Sequence, residues 1–221
     1  MNNIVRIAID GPAGAGKSTI AKIVAKDLGI DYIDTGAMYR AIALKLIRTG
    51  TDYNDGAALA AMLDATEVDF SDGHVLLDGE PAEGFIRTPE VSEMASASSA
   101  VLAIREKLVA LQRAMGQRKS IVMDGRDIGT NVLKDAECKI YLDASPRVRA
   151  QRRALELQQK GMQVSIDQIE EEIRARDYRD MHREHNPLAK ADDAVFVDSS
   201  DMTIEQVVET LKAIIREKAN E

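Results

Sequence analysis

Residues 11–18 read Gly11-Pro12-Ala13-Gly14-Ala15-Gly16-Lys17-Ser18, and this stretch decides the fold. It fits the pattern G-x-x-x-x-G-K-[ST]. An apolar run rich in β-branched residues, 4–10, precedes it, and apolar residues at helical spacing from Ile20 to Leu28 follow it. A strand, a glycine-rich turn and a helix in this order predict a P-loop, the turn that cradles phosphates in nucleotide-binding proteins.

The chemistry of that turn assigns roles to its residues. Glycines let consecutive backbone N–H groups converge on phosphate oxygens, and the helix N-terminus adds partial positive charge. We expect Lys17 to span the β- and γ-phosphates of a nucleoside triphosphate and Ser18 to ligate Mg²⁺. The alternative interpretation is a glycine turn followed by a surface lysine.

The composition indicates an ordinary globular protein. With 221 residues, 45% of them hydrophobic and 30% charged, we expect one compact domain that carries insertions. No apolar run approaches the ~18 residues of a membrane span, and a strand-like start at Ile4 leaves no room for a signal peptide. The single cysteine, Cys138, cannot close an intrachain disulfide, and we interpret it as a small core residue rather than a nucleophile. The cytosol is the expected compartment.

Charge and aromatic content argue against a nucleic-acid surface. The formal charge is −8, and the chain contains no Trp, 5 Tyr and 3 Phe. A long stacking surface or a broad phosphate-gripping face is therefore not expected. Any anionic ligand must be held by local positive charge.

Three further apolar strands accompany the first. They are centred on residues 121–123, 140–142 and 195–197, and Ser145-Pro146 and Thr203-Ile204-Glu205-Gln206 provide helix starts after the last two. Short strands buried on both faces and alternating with helices predict an α/β fold, in which a parallel sheet is flanked by helices.

Two stretches interrupt this alternation and are interpreted as insertions. The first, 36–117, opens with a helix, continues through a hairpin around Ser71-Asp72-Gly73-His74, and closes with helices from Glu90 and Ala100. The second, 146–186, is a pair of arginine-rich helices around Lys160-Gly161. A solvated helical hairpin also fits the second stretch, because acidic residues nearly balance its arginines. The remaining residues, 1–35, 118–145 and 187–221, form the predicted core.

Three groups of charged residues are candidates for ligand binding. Asp124 ends a strand where an acid commonly lies near the magnesium shell, and we predict that it acts through water; a turn or helix cap is the alternative, and Asp10 is a second candidate. Arg40 lies one helical turn beyond Gly36 and could grip a phosphate, although a surface arginine fits equally well. Arg126 and Asp127 lie on the loop after a strand, where α/β proteins bind ligands.

A fourth group comprises Arg176, Asp180 and Arg183, which recur at i, i+4 and i+7. This spacing predicts one helix face that presents an acid between two guanidinium groups. A salt-bridge ladder within the helix explains it equally well.

Four motifs together make the chain resemble the bacterial cytidylate kinases, P-loop enzymes that phosphorylate CMP and dCMP with ATP. These motifs are the P-loop, Asp34-Thr35-Gly36-Ala37-Met38-Tyr39-Arg40, Asp124-Gly125-Arg126-Asp127-Ile128-Gly129-Thr130 and Arg176-Asp177-Tyr178-Arg179-Asp180-Met181-His182-Arg183. The resemblance covers nearly the whole chain. It implies a P-loop core with a nucleoside-monophosphate-binding insertion, 36–117, and a mobile lid, 146–186.

The resemblance also implies a set of site residues. ATP would be bound by Gly11, Pro12, Ala13, Gly14, Ala15, Gly16, Lys17, Ser18 and Thr19. CMP would be bound by Thr35, Arg40, Ser96, Arg105, Arg126, Asp127, Arg176, Asp180 and Arg183. Catalysis would involve Lys17, Arg126 and the lid arginines Arg152 and Arg153, between which the sequence cannot choose, with Mg²⁺ near Ser18 and Asp124.

Base chemistry supports part of this set. Cytosine needs an acceptor such as Asp127 or Ser96 for its amine and a donor such as Arg105, whereas uracil reverses two of those groups. We expect a cytoplasmic monomer with no nucleic-acid or membrane partner. Two alternatives stay open: a kinase of UMP, AMP or shikimate, and a nucleotide-dependent switch, although no Asn-Lys-x-Asp guanine-reading motif is present.

Overall fold

The computed structural model describes residues 4–71, 73–159 and 161–219. Within these residues the strands are β1 (Arg6–Asp10), β2 (Asp31–Asp34), β3 (Val68–Ser71), β4 (His74–Leu77), β5 (Glu80–Pro81), β6 (Ile121–Gly125), β7 (Cys138–Asp143) and β8 (Val195–Asp198). The α-helices are α1 (Lys17–Leu28), α2 (Thr35–Thr49), α3 (Gly56–Asp64), α4 (Pro89–Ser98), α5 (Leu102–Arg118), α6 (Pro146–Gln159), α7 (Ile166–His182) and α8 (Ile204–Ala219). A π-helical turn spans Ile128–Val132. The chain divides into two compact units, one comprising residues up to Asp31 and from Ser120 onwards, the other Tyr32–Lys119.

The first unit is built on parallel strands. They lie in the order β6-β1-β7-β8, and every pair along this row is parallel. Helix α1 packs against β1 and β6, and α8 packs against α1 and β7. The predicted α/β class with a parallel sheet flanked by helices is therefore confirmed.

The inner strands are more buried than the outer one. All five residues of β6 are buried, and Cys138 at the start of β7 is buried, which raises the pKa of its thiol to about 12. This confirms Cys138 as a core residue. The prediction that every strand is buried on both faces is wrong for β8, because β8 ends the row and its Phe196 is 54% exposed while stacking on Tyr141.

Helix starts in this unit follow the sequence signals. The Ser145 hydroxyl accepts from the Val148 amide as α6 begins at Pro146. Thr203 and Gln206 exchange the two bonds of a capping box at the start of α8. Helices α6 and α7 pack through Ala150, Ala154 and Ile169, so the predicted helix pair is confirmed.

The second unit contains the predicted hairpin. Strands β3 and β4 are antiparallel with Ser71 opposite His74, and β5 extends them to a three-stranded sheet. Helix α2 packs against α4, α5 and this sheet. Asp72 and Lys160, on which the predicted turns fall, lie outside the described residues.

None of the helices among the described residues combines the length and apolar composition that a membrane crossing requires.

The phosphate-binding loop has a glycine that no other residue can replace without strain. Gly11 has φ +149°, and a Cβ built there would lie 2.0 Å from the carbonyl oxygen of Leu142 on β7. We expect Gly11→Ala to lower the free energy of unfolding by about 2 kcal/mol, since it adds a steric overlap to an unfavourable backbone conformation. Urea denaturation measures this loss.

Gly29→Ala is the matched control for that measurement. Gly29 also has positive φ, +66°, but nothing lies within 4 Å of a Cβ placed there. We expect it to cost only about 1 kcal/mol, from the backbone conformation alone. Equal losses in the two variants would show that the close approach of Gly11 to Leu142 is not what constrains the loop.

Candidate active site

The P-loop has the form that the sequence predicts. It connects β1 to α1, with Gly14 at φ +77° and Gly16 at φ +86°. Gly16 is the N-cap of α1 and has no side chain to occupy the free amides of the first turn. Those amides, together with Lys17, Ser18 and Thr19 in the same turn, form a preformed site for anionic oxygens.

Lys17 is buried within this loop rather than on the surface. Its Nζ donates to the carbonyl of Pro12 at 2.7 Å. Burial lowers its pKa to about 7, and the positive charges of Arg126 and Arg176 act in the same direction. An anion bound beside these positive charges would raise the pKa of Lys17 again and restore its charge. The alternative of a surface lysine is wrong.

Ser18 and Asp124 meet at the carboxyl ends of the strands. The Ser18 hydroxyl donates to Asp124 Oδ2 at 2.9 Å, and Asp124 is buried at the end of β6. Hydroxyl and carboxylate oxygens are hard donors that suit Mg²⁺, which typically uses one or two protein ligands and completes its shell with phosphates and water. The part of the chain that the structure describes holds no cluster of three or more metal-ligating His, Cys, Asp or Glu side chains.

Asp10, the second magnesium candidate, is occupied by the backbone. Its two carboxylate oxygens accept from the amides of Ile128 and Gly129 at 2.8 and 2.7 Å. Burial raises its pKa to about 6 although these amides act against the rise. Asp10 therefore fixes the π-helical turn that follows Arg126 and Asp127, which leaves Asp124 as the better-placed magnesium candidate.

Two ion pairs link the end of β6 to α7 and the residue after it. Arg126 Nε donates to Asp180 Oδ2 at 2.8 Å, and Arg183 donates to Asp127 Oδ1 at 2.9 Å. Burial by itself would raise the pKa of Asp180, but the positive charge of Arg126 and its hydrogen bond lower that pKa below the ordinary value. The two carboxylates are buried and the two arginines are partly buried, and the charges of Arg176 and Arg183 also lower the pKa of Asp180.

The predicted helix face for this group is wrong in one respect. Helix α7 ends at His182, and Arg183 is extended, with φ −64° and ψ 145°. Its guanidinium also donates to the carbonyl of Asn186, a residue with φ +49°. The salt bridge of Arg183 to Asp127 reaches the loop after β6, which a salt-bridge ladder within α7 would not provide.

The two arginines predicted for the lid have different surroundings. Arg152 is half-buried and donates to the carbonyl of Ser199 at 2.6 Å. Arg153 is exposed and pairs with Glu156 one turn later on the same helix. Adjacent helical positions diverge by about 100°, and here that divergence turns Arg153 to solvent.

Sequence reasoning missed Arg149 altogether. Arg149 is 3% exposed, and its Nη1 donates to the carbonyl of Ala13 inside the P-loop at 2.9 Å. On α6 its helical neighbours at i+3 and i+4 are Arg152 and Arg153, so no spacing in the sequence distinguishes Arg149 from the other arginines of that helix.

The second unit contains the remaining predicted residues. Asp34 caps α2, since its Oδ1 accepts from the amide of Ala37 at 2.9 Å, and Thr35 is buried at the first position of the helix. A Cβ on Gly36 would lie 3.2 Å from Asp34 and 3.6 Å from the guanidinium of Arg40. The guanidinium of Arg40 therefore lies beside the start of α2, at ordinary contact distance from this position.

Arg105 and Ser96 lie on helices that accompany α2. Arg105 is 1% exposed, its guanidinium lies 5.7 Å from the ring centroid of Tyr39, and it donates to the carbonyl of Ser99. Arg105 is therefore a buried cation within the second unit. Ser96 is half-buried on α4.

Comparison with known proteins decides the family. The family model described as cytidylate kinase matches residues 7–217. The chain belongs to the cytidylate kinase family. It is 49% identical to the cytidylate kinase of Lactobacillus johnsonii over 99% of this chain and 96% of the relative, and 45% identical to that of Clostridium perfringens over 96% and 98%. Membership makes this protein a kinase, a phosphotransferase that acts on nucleotides.

Solved structures of lower sequence identity support the same fold. Shikimate kinase from Bacteroides thetaiotaomicron shares 14% identity with a TM-score of 0.51, over 97% of this chain and 99% of that one. An uncharacterized protein from Eubacterium ventriosum shares 15% with a TM-score of 0.53 over the same fractions. The P-loop kinase fold is common to this chain and that shikimate kinase.

Proposed function

We propose that this cytidylate kinase family member transfers the γ-phosphoryl group of ATP to CMP and dCMP, forming CDP and dCDP. The observation that carries the ATP half is the buried Lys17, beside the positive charges of Arg126 and Arg176, at a P-loop whose first helical amides have no side-chain cap. Full-length similarity to cytidylate kinases carries the acceptor half.

The proposed reaction needs no side-chain nucleophile. A phosphate oxygen of CMP attacks the γ-phosphorus in line, the new P–O bond forms as the bond to the ADP leaving oxygen breaks, and ADP departs with that electron pair. Because the transition state is loose, the protein contributes mainly positioning and positive charge. Mg²⁺, held through Ser18 and, by way of water, Asp124, would neutralise phosphate charge when bound. Lys17 would hold the β- and γ-phosphates.

CMP recognition is proposed for residues of each unit. In the first unit, Arg126 and Arg183 would hold the α-phosphate, Arg176 and Asp180 would reach the ribose hydroxyls, and Asp127 would accept from the cytosine amine. In the unit Tyr32–Lys119, Arg40 would bind phosphate, and Thr35, Ser96 and Arg105 would contact the nucleotide. We propose this second unit as the nucleoside-monophosphate-binding insertion, 36–117.

The lid, 146–186, would close over the nucleotides and exclude water, which otherwise competes as the phosphoryl acceptor. Of its two candidate arginines we propose Arg152, because it is half-buried whereas Arg153 is exposed and pairs with Glu156. The protein would act as a cytoplasmic monomer without nucleic-acid or membrane partners.

Acceptor specificity tests the proposal directly. ADP release from ATP and Mg²⁺ is measured with CMP, dCMP, UMP, AMP and shikimate in turn. We expect CMP and dCMP to exceed the other acceptors by at least ~10-fold in kcat/KM, since a hydrogen-bonding site rejects bases that leave its polar groups unpaired. Equal or faster turnover with shikimate or AMP would overturn the acceptor assignment, and acceptor-independent ADP release alone would indicate a nucleotide-dependent switch.

Lid closure makes a separate prediction. With a non-hydrolysable ATP analogue and CMP both bound, backbone amides of α6 and α7 should exchange hydrogen ~10-fold more slowly than with either ligand alone. The reason is that both ligands would fix a helix pair whose own core is small, comprising Ala150, Ala154 and Ile169 with partly buried neighbours. Hydrogen exchange with mass spectrometry measures this change. Equal exchange in the free and doubly bound protein would indicate a rigid hairpin.

A further inference from the structure

Arg149 connects three separate segments of the first unit. Its Nε donates to the carbonyl of Ala144 at 2.8 Å, its Nη1 to the carbonyl of Ala13 at 2.9 Å, and its Nη2 to Asp177 Oδ2 at 2.6 Å. Ala13 belongs to the P-loop, Ala144 directly follows β7, and Asp177 belongs to α7. The Arg149 guanidinium therefore hydrogen-bonds to the P-loop, to the residue after β7 and to α7.

The side chain also supports the loop by packing. A Cβ built on Gly14 would lie 3.4 Å from Arg149 Cβ, so α6 passes directly against the loop at this point. A lysine could not reproduce the arrangement, because its single ammonium cannot direct separate donors at three acceptors in a fixed plane.

The burial of Asp177 makes its ion pair with Arg149 difficult to break. Asp177 is 7% exposed, and its other oxygen, Oδ1, has no hydrogen-bond partner among the described residues. Leaving a buried carboxylate without its cation is strongly destabilising, so a movement of α7 that carries Asp177 must carry Arg149 with it. Asp177 also lies next to Arg176 and one turn before Asp180, two residues of the proposed CMP site.

We infer that Arg149 is a positioning residue that couples ATP binding at the P-loop to CMP binding at α7. This inference rests on the proposed function for the identity of the second nucleotide. In this role Arg149 acts through the loop and need not contact either nucleotide. It sets the position of the Ala13 carbonyl, and with it the loop, according to the position of α7.

Arg147 provides a matched control on the same helix. It also joins α6 to α7, through Asp167 and Glu170, but at an exposed surface. Arg147→Met tests whether any α6–α7 ion pair suffices, whereas Arg149 variants test the connection to the loop.

The experiment measures binding of adenylyl imidodiphosphate with Mg²⁺, by calorimetry, with and without saturating CMP. We expect the wild type to bind this analogue at least ~5-fold more tightly when CMP is present, and CMP to be tightened by the same factor in the reciprocal titration. Arg149→Lys should weaken the analogue ~10-fold in the absence of CMP and reduce the coupling factor below 2, while Arg147→Met keeps the wild-type factor.

A second variant separates positioning from folding. Arg149→Met/Asp177→Leu replaces the buried pair by apolar side chains, which usually preserves stability, yet it should lose the coupling as completely as Arg149→Lys. Wild-type coupling in either Arg149 variant, or no coupling in the wild type, would overturn the inference. If CMP does not bind the wild type at all, the proposed function and the coupling fail together. The ~10-fold loss of analogue affinity in Arg149→Lys would then still show that Arg149 positions the loop.

Discussion

Replacing Lys17 by methionine should lower kcat by at least ~10³ while the protein stays folded. The charge of Lys17 is needed only where phosphates are present. Preorganised charges of this kind lower the activation free energy of phosphoryl transfer by several kcal/mol, because they stabilise the negative charge of the transition state. Burial already lowers the pKa of the Lys17 ammonium to about 7 in the nucleotide-free protein. An apolar chain of similar length is therefore compatible with the free loop.

Two measurements establish this result. ADP release under saturating ATP and CMP gives kcat, and a thermal melt checks that Lys17→Met unfolds close to the wild-type temperature. Lys26→Met is the control, because Lys26 is an exposed residue in the last turn of the same helix and should retain activity within about twofold of wild type. If Lys17→Met keeps more than a tenth of the wild-type kcat, Lys17 does not have the proposed role.

The elements that sequence reasoning recovered are those whose signal is local. The P-loop is defined within eight residues, and the capping boxes and apolar strands within four or five, so spacing alone identifies them. Strand β2 was missed for the same reason: Asp31-Tyr32-Ile33-Asp34 is short and half polar, and has no apolar run of its own. Strand β8 was expected to be buried on both faces because its apolar residues carry no information about its place at the end of the row of strands.

The part of the site that could not be predicted depends on contacts between distant segments. Arg149 is one of several arginines in α6, and only its acceptors at Ala13, Ala144 and Asp177 distinguish it from Arg147 or Arg153. The spacing placed Arg183 on the same helix face as Arg176 and Asp180 because neither Gly nor Pro at position 183 marks the end of the helix. Its true partner, Asp127, lies 56 positions away. Such partners are fixed by the tertiary fold and leave no periodic trace in the sequence.

Base selection is the remaining large effect, and it centres on Asp127. Its Oδ1 accepts from Arg183 at 2.9 Å and its Oδ2 from Asn131 at 3.0 Å. A carboxylate has about four lone-pair sites, so these two bonds do not by themselves exhaust its capacity to accept from the amine of cytosine. UMP would instead present its O4 acceptor to the anion. We expect CMP to exceed UMP by roughly 10² in kcat/KM, below the ~10⁴ of a fully enclosed hydrogen-bonding site because a cleft admits water.

Asp127→Asn should narrow that ratio by losing more CMP than UMP activity, since its amide N–H can turn toward O4 of uracil. Asn131→Ala is the control: it removes one bond that orients Asp127 but keeps the carboxylate, so the ratio should stay within a few-fold of wild type. Steady-state kinetics of all three proteins on both acceptors measure the ratio. Asp127 does not read the base if the wild type uses UMP as well as CMP, or if Asp127→Asn leaves the ratio unchanged. A loss of selectivity in Asn131→Ala equal to that in Asp127→Asn would instead assign the effect to the orientation of the side chain.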